Sequence, residues 1–140
     1  AKREKGLMSA YLFDSHALLA FFQGELGANR VDEILRDSRQ RPFDIFICMM
    51  NLGEIVYLTK RRFGDEKKIE VISRIYQLGL TVLSVTDLLV FQAAELKAQY
   101  ALSYADCFAL ACAVNHSATL VTGDPEFKTV SHLIEIAWIR

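Results

Sequence analysis

Several features are scarce in this chain of 140 residues, and each scarcity closes a class of function. No apolar run approaches the ~20 residues that a membrane-spanning helix needs, so no membrane partner is expected. Positive charge is not in excess: 16 Lys and Arg stand against 17 Asp and Glu, for a formal net charge of -1. Indiscriminate coating of nucleic acid runs on many surplus cations, so that class is excluded, although a local basic patch remains open. The three cysteines, Cys48, Cys107 and Cys112, are odd in number and form no Cys-x-x-Cys. Reduced thiols in a cytoplasmic protein are expected. His16, His116 and His132 are scattered, and none has zinc-ligand spacing with a cysteine. No linker, repeat or low-complexity tract interrupts the chain. The basic start, Ala1 to Lys5, is followed by too short an apolar stretch for a signal peptide. Residues 1–8 are expected to be an N-terminal extension or an expression remnant, with Met8 as a natural start, and residues 9–140 to form one domain.

What is present is a repeated alternation. Residues 9–13 read as a buried strand and Ser15 to Phe22 as a helix, broken at Gly24 and Gly27. Asn29 is the expected cap of a second helix, which Arg41-Pro42 ends. Ile45 to Met49 is a second buried strand, too uniformly apolar to have a wet face. Asn51 is the expected cap of the helix that follows, and Gly64 closes it. A helix from Asp65 carries an expected apolar stripe of Ile69, Ile72, Ile75 and Tyr76. Leu80 to Ser84 reads as a third strand, with Thr86 and Ser103 capping the two helices after it. The second of these, Tyr104 to Asn115, is apolar nearly all round and should be central. Residues 119–121 and 134–138 complete the set as strands. Strands alternating with helices imply an α/β fold with a central, mostly parallel sheet of four to five strands between two helical layers. Ligands in such sheets bind beyond the carboxyl ends of the strands.

Four acids fall at that edge. Asp14 follows the first strand directly, Glu54 lies early in the helix after the second, Asp106 opens the central helix, and Asp124 stands just past the fourth strand. Taken singly, each is an ordinary helix-capping residue. Taken together, four carboxylates crowded at one edge repel and raise one another's pKa values. A divalent cation offsets that repulsion, and hard oxygen ligands suit Mg²⁺ or Mn²⁺. Such ions promote phosphodiester hydrolysis.

Phe13-Asp14-Ser15, Asn51-Leu52-Gly53-Glu54, Leu102-Ser103-Tyr104-Ala105-Asp106 and Thr122-Gly123-Asp124-Pro125-Glu126-Phe127 resemble the four acidic motifs of the PIN domain. More narrowly, they resemble VapC-type toxins of toxin–antitoxin pairs. The resemblance covers the chain from Ala10 onward. It implies a Mg²⁺- or Mn²⁺-dependent endoribonuclease leaving a 3′-hydroxyl and a 5′-phosphate. By this resemblance Asp14 and Asp106 are the most direct metal ligands, and Glu54 and Asp124 complete the shell. Thr122 supports the cluster, and Ser15 either assists it or caps a helix. It also implies an RNA substrate, a VapB-like antitoxin and a homodimer.

Lys60, Arg61 and Arg62, with Lys67 and Lys68 nearby, form the densest basic run. They read as a solvated helix end or as phosphate contacts along RNA. Tyr104, Phe108, Phe21 and Phe22 read as core, as do Cys107 and Cys112. A receiver domain would need a pair of acids after the first strand, and a haloacid-dehalogenase-like phosphatase an Asp-x-Asp; here Asp14 stands alone before Ser15-His16. Two alternatives stay open: an RNA-processing nuclease of the same fold without an antitoxin, and a non-catalytic interaction module.

Overall fold

The computed structural model describes residues 9–41 and 43–140. The reading of residues 1–8 as an extension and of Pro42 as a helix terminator therefore lies outside the described residues. Five strands form one sheet in the order β3-β2-β1-β4-β5, with every pairing parallel. The strands are β1 (Ala10–Phe13), β2 (Asp44–Cys48), β3 (Thr81–Leu83), β4 (Thr119–Thr122) and β5 (Ile136–Trp138). Among the described residues, six α-helices connect them: α1 (Ser15–Gln23), α2 (Ala28–Gln40), α3 (Met49–Phe63), α4 (Asp65–Gln77), α5 (Asp87–Gln99) and α6 (Tyr104–Asn115). A short 3₁₀ helix spans Pro125–Val130.

Side chains alternate across each strand, so the sheet separates two cores. Leu12, Cys48 and Leu120 pack with α5 and α6 on one face. Phe13, Ile47 and Val121 pack with α1 to α4 on the other. The result is the expected α/β/α arrangement of three layers, with a sheet that is wholly parallel. Fully buried Phe13, Phe108 and Phe127 each contribute about 1.5–3 kcal/mol of burial. Helix α6 is central as expected: Asp106 through Ala113 are all buried. Cys107 and Cys112 lie in that core as expected.

Four local expectations are corrected. Asn29 does not cap α2; Gly27 does, with a left-handed φ of 98° and no side-chain bond. A side chain there would also strike Ile139, whose Cδ1 lies 2.7 Å from a Cβ built at Gly27. Asn51 does not cap α3. The helix begins at Met49, which had been expected in the strand, and Cys48 is the cap without a side-chain bond. Asn51 instead sits fully buried in the first turn and donates from Nδ2 to the Ala105 carbonyl at 3.2 Å, tying α3 to α6. On α4 the buried residues are Val71 and Ile75, while Ile69 is 62% and Tyr76 57% exposed. Tyr104, expected in the core, is exposed and rests its ring 5.0 Å from that of Phe108.

Candidate functional site

Strand β1 stops at Phe13, and Asp14 turns the chain into α1. Its carboxylate caps that helix, accepting from the Ala17 N–H at 2.8 Å, while its own N–H donates to the Val121 carbonyl of the neighbouring strand. The second carboxylate oxygen accepts from the Thr122 hydroxyl at 2.5 Å. Thr122 closes β4 and is fully buried. Its oxygen also accepts from the Asp124 N–H at 3.0 Å. One hydroxyl thus joins the first acid to the backbone of the last. Asp124 in turn caps the 3₁₀ helix, accepting from the Glu126 N–H at 2.9 Å, with Pro125 at its first position.

Helices α6 and α3 deliver the other two acids. Ser103 caps α6 by accepting from the Asp106 N–H at 3.2 Å, which places Asp106 in the first turn. Glu54 lies on α3, where its carboxylate accepts a hydrogen bond from the Ser15 hydroxyl. Ser15 is therefore an orienting partner for Glu54, and the capping of α1 belongs to Asp14.

Asp106, Asp124 and Glu126 each offer a carboxylate oxygen within 4.8 Å of the others. Asp14 and Glu54 stand outside this trio. Burial pushes Asp14 from its ordinary 3.8 up to about 7; the bonds from Thr122 and Ala17 oppose the rise, and the charges of Asp106 and Asp124 add to it. Burial likewise pushes Asp106 from 3.8 up to about 6, opposed by Ser103 and reinforced by Asp124, Glu54 and Glu126. Of the four acids named from the sequence, Asp106 and Asp124 therefore act on Asp14, and Asp124 and Glu54 act on Asp106. Glu126 was missed, although it stands two residues past Asp124 within the same short stretch. Its signal was a second acid in the turn that carries Asp124, and only the 3₁₀ geometry brings it within reach of Asp106.

The donor set fits a hard divalent cation. It consists of carboxylate oxygens only, at mixed burial; Asp106 within it and Asp14 outside it are held high chiefly by burial and further by neighbouring carboxylates, and a cation would favour their ionised forms. The basic run behaves differently along its length. Lys60 pairs with Asp65 at 3.1 Å, as does Lys68, and Lys67 pairs with Glu70 at 3.3 Å. Arg61 and Arg62 instead line a cavity beside α1.

Comparison with known proteins follows the same geometry. No curated protein matches the sequence. Among solved structures, a DNA-bound VapBC of Salmonella typhimurium superimposes with a TM-score of 0.74 at 16% identity, covering 95% of this chain and 100% of that one. Mycobacterium tuberculosis VapC20, a Sarcin-Ricin loop cleaving toxin, gives 0.71 at 19% identity over 90% and 98%. Rickettsia felis VapBC2, bound to a promoter DNA fragment, gives 0.70 at 19% identity over 92% and 98%. At these identities the likeness is one of fold. The sequence itself matches the PIN domain model over residues 11–133, from the strand that presents Asp14 to beyond the turn that presents Asp124 and Glu126, and the chain belongs to the PIN domain family.

Proposed function

We propose that this protein is a divalent-metal-dependent endoribonuclease serving as the toxin of a VapBC-type pair. The observation that carries the reading is the grouping of Asp106, Asp124 and Glu126, with Asp14 and Asp106 held well above the usual carboxylate range by burial and by the charges of the neighbouring acids. PIN-family membership supports a nuclease, and the neighbouring structures solved as VapBC complexes support an antitoxin partner.

Asp106, Asp124 and Glu126 would hold the metal, Mg²⁺ or Mn²⁺, with Asp14 and Glu54 beside them. When bound, such an ion supplies charge neutralisation at the phosphodiester and a more acidic water. The protein's own contribution is orientation. Thr122 and the Ala17 N–H fix the two oxygens of Asp14, Ser15 fixes Glu54, and the Glu126 N–H fixes Asp124. Such preorganised acids need little rearrangement during the reaction.

A VapB-like antitoxin is the proposed restraint. An arginine from it would form charge-assisted bonds to these carboxylates and compete with the cation. A groove of about 500 Å³ lined by Phe22, Phe63 and Val71 offers apolar surface for a partner helix. A homodimer is proposed through a second apolar face, where Met49, Met50, Tyr57 and Val85 line one depression, with Leu88 and Phe91 exposed on α5.

The test is RNA cleavage by purified protein with Mg²⁺ or Mn²⁺. The expected result is cleavage abolished by EDTA and by Asp106→Ala, with the variant folded by circular dichroism. Cleavage surviving either treatment refutes the mechanism. Induced expression should arrest growth, and co-expression of a cognate VapB-like antitoxin should relieve it. Normal growth with soluble, active protein accumulating rejects the toxin reading and leaves an RNA-processing nuclease.

A further inference from the structure

Beside the acidic cluster lies a cavity of about 340 Å³ between α1 and α3. Its floor is apolar, formed by Leu19, Ala20 and Leu58, and its rim carries three guanidinium groups, Arg61, Arg62 and Arg140. Glu25 is the one acid that lines it, so the rim is net positive on a protein whose formal net charge is -1.

None of the three arginines forms an ion pair with a carboxylate among the described residues. Arg61 lies over the Tyr57 ring at 5.3 Å. Arg62 lies over the Phe63 ring at 5.0 Å and donates to the Gln23 amide oxygen at 2.9 Å. Arg140 donates to His16 Nε2 at 2.9 Å and reaches the Gly123 carbonyl at 3.4 Å. The lysines of the same basic run are all taken up by acids. Cations held by aromatic faces and neutral acceptors keep an unspent charge for a ligand.

The cavity is joined to the acidic site through the shortest of links. His16 follows Asp14 by two residues, and Gly123 precedes Asp124. A Cβ built at Gly123 would meet His16 Cε1 at 2.8 Å and Arg140 Nε at 3.1 Å, so the three groups are in close contact against the turn that aims Asp124. His16 accepts from Arg140 at Nε2, which makes the ring neutral with its proton on Nδ1, and Nδ1 is buried without a partner.

We infer that this cavity is a phosphate-positioning site, in which Arg61, Arg62 and Arg140 hold a backbone phosphate of the RNA strand next to the one presented to the acidic cluster. The inference rests on the nuclease reading and deepens it. A cluster of five acids repels a polyanion, so a nuclease built on them needs cations close by to set the strand's register. Arginine suits the task better than lysine because its planar fork binds two phosphate oxygens at once. The apolar floor leaves room for the attached sugar or base. An acidic protein segment is the competing occupant, and it would use the same charges.

The probe is a short fluorescein-labelled single-stranded oligoribonucleotide. Its binding is followed by anisotropy at several salt concentrations, in an Asp106→Asn background with Mg²⁺. Its cleavage is followed in the active protein. Arg61→Gln combined with Arg140→Gln is expected to weaken binding roughly tenfold, as loss of charge-assisted bonds does. The slope of log K against log[salt] should shrink by about 0.7 for the phosphate lost. In the active protein KM should rise with kcat held, and Arg61→Lys with Arg140→Lys should restore the salt slope. Arg36→Gln, on α2 in an ion pair with Asp32 and not among the residues lining the cavity, serves as the control and should change nothing. Metal-dependent cleavage by the parent with unchanged affinity, slope and KM in the double variant overturns the site and spares the nuclease; this holds even if the variant loses a protein partner. A parent that neither binds nor cleaves the RNA overturns both.

Discussion

Replacing Asp14 by asparagine should make the metal-free protein more stable while ending its activity. The side chain is 1% exposed, and its carboxyl is pushed from 3.8 up to about 7, chiefly by burial. At about 1.4 kcal/mol for each tenfold change in the protonation equilibrium, ionised Asp14 costs folding about 4 kcal/mol at about pH 8. The amide carries no such penalty. It keeps the bond from the Ala17 N–H, since asparagine caps a helix as well as aspartate. Its NH₂ then faces the Thr122 oxygen, and the threonine proton loses its acceptor, at about 1 kcal/mol. The net expectation is a gain of about 3 kcal/mol at about pH 8. The dependence on pH has a definite sign. The folded protein holds the Asp14 proton more tightly than the unfolded chain, so the parent's stability falls as pH rises from about 4 to about 7. The variant lacks this fall, and its advantage should drop below about 1 kcal/mol near pH 5. Urea unfolding in EDTA at the two pH values measures both. A variant less stable than the parent at the higher pH, or an advantage that fails to shrink, refutes the reasoning.

Other perturbations follow from the same contacts. Thr122→Val removes the donor to Asp14 and the acceptor for the Asp124 N–H; it should cost about 1–3 kcal/mol in urea unfolding. It should also move the acidic limb of the activity profile to higher pH, because the lost bond had been lowering the Asp14 pKa. Gly123→Ala places a methyl 2.8 Å from His16 Cε1 and should cost about 1–3 kcal/mol. Gly53→Ala, within α3 and with nothing within 4 Å of the new Cβ, should instead gain about 0.5–1 kcal/mol. Mn²⁺ should raise the melting temperature of the parent by mass action, and Glu126→Gln should reduce that rise; an equal rise in both would remove Glu126 from the donor set.

The sheet, and the placing of Asp14 and Asp124, were legible because each of these acids stands just past a strand, and in a parallel sheet those ends share one edge. The capping of α6 by Ser103 and of the 3₁₀ helix by Asp124 was legible for the same local reason. Asn51 was not: its position three residues before Glu54 imitates a capping box, but α3 starts two residues earlier and buries the amide against Ala105. Tertiary packing also decided α4, which packs against α3 and so buries only the narrow stripe of Val71 and Ile75. The roles of Glu126 and Arg140 did not follow from the sequence because they depend on a tight turn and on the strand that brings residue 140 back beside His16.

The hydroxyl bond from Thr122 to Asp14 joins residues 108 positions apart, and this sets a clock on activity. During synthesis, at about 5–20 residues per second, roughly 5–20 s separate the emergence of these two side chains. Throughout that interval β1 lacks its β4 neighbour, and Asp14 lacks Thr122, Asp124 and Glu126. A ribosome-bound chain carrying everything through α6 would still hold only part of the acidic cluster. On the proposed nuclease reading, hydrolytic capacity would arrive late, with the pairing of β4 to β1, and fragments that stop short of that pairing should cleave no RNA.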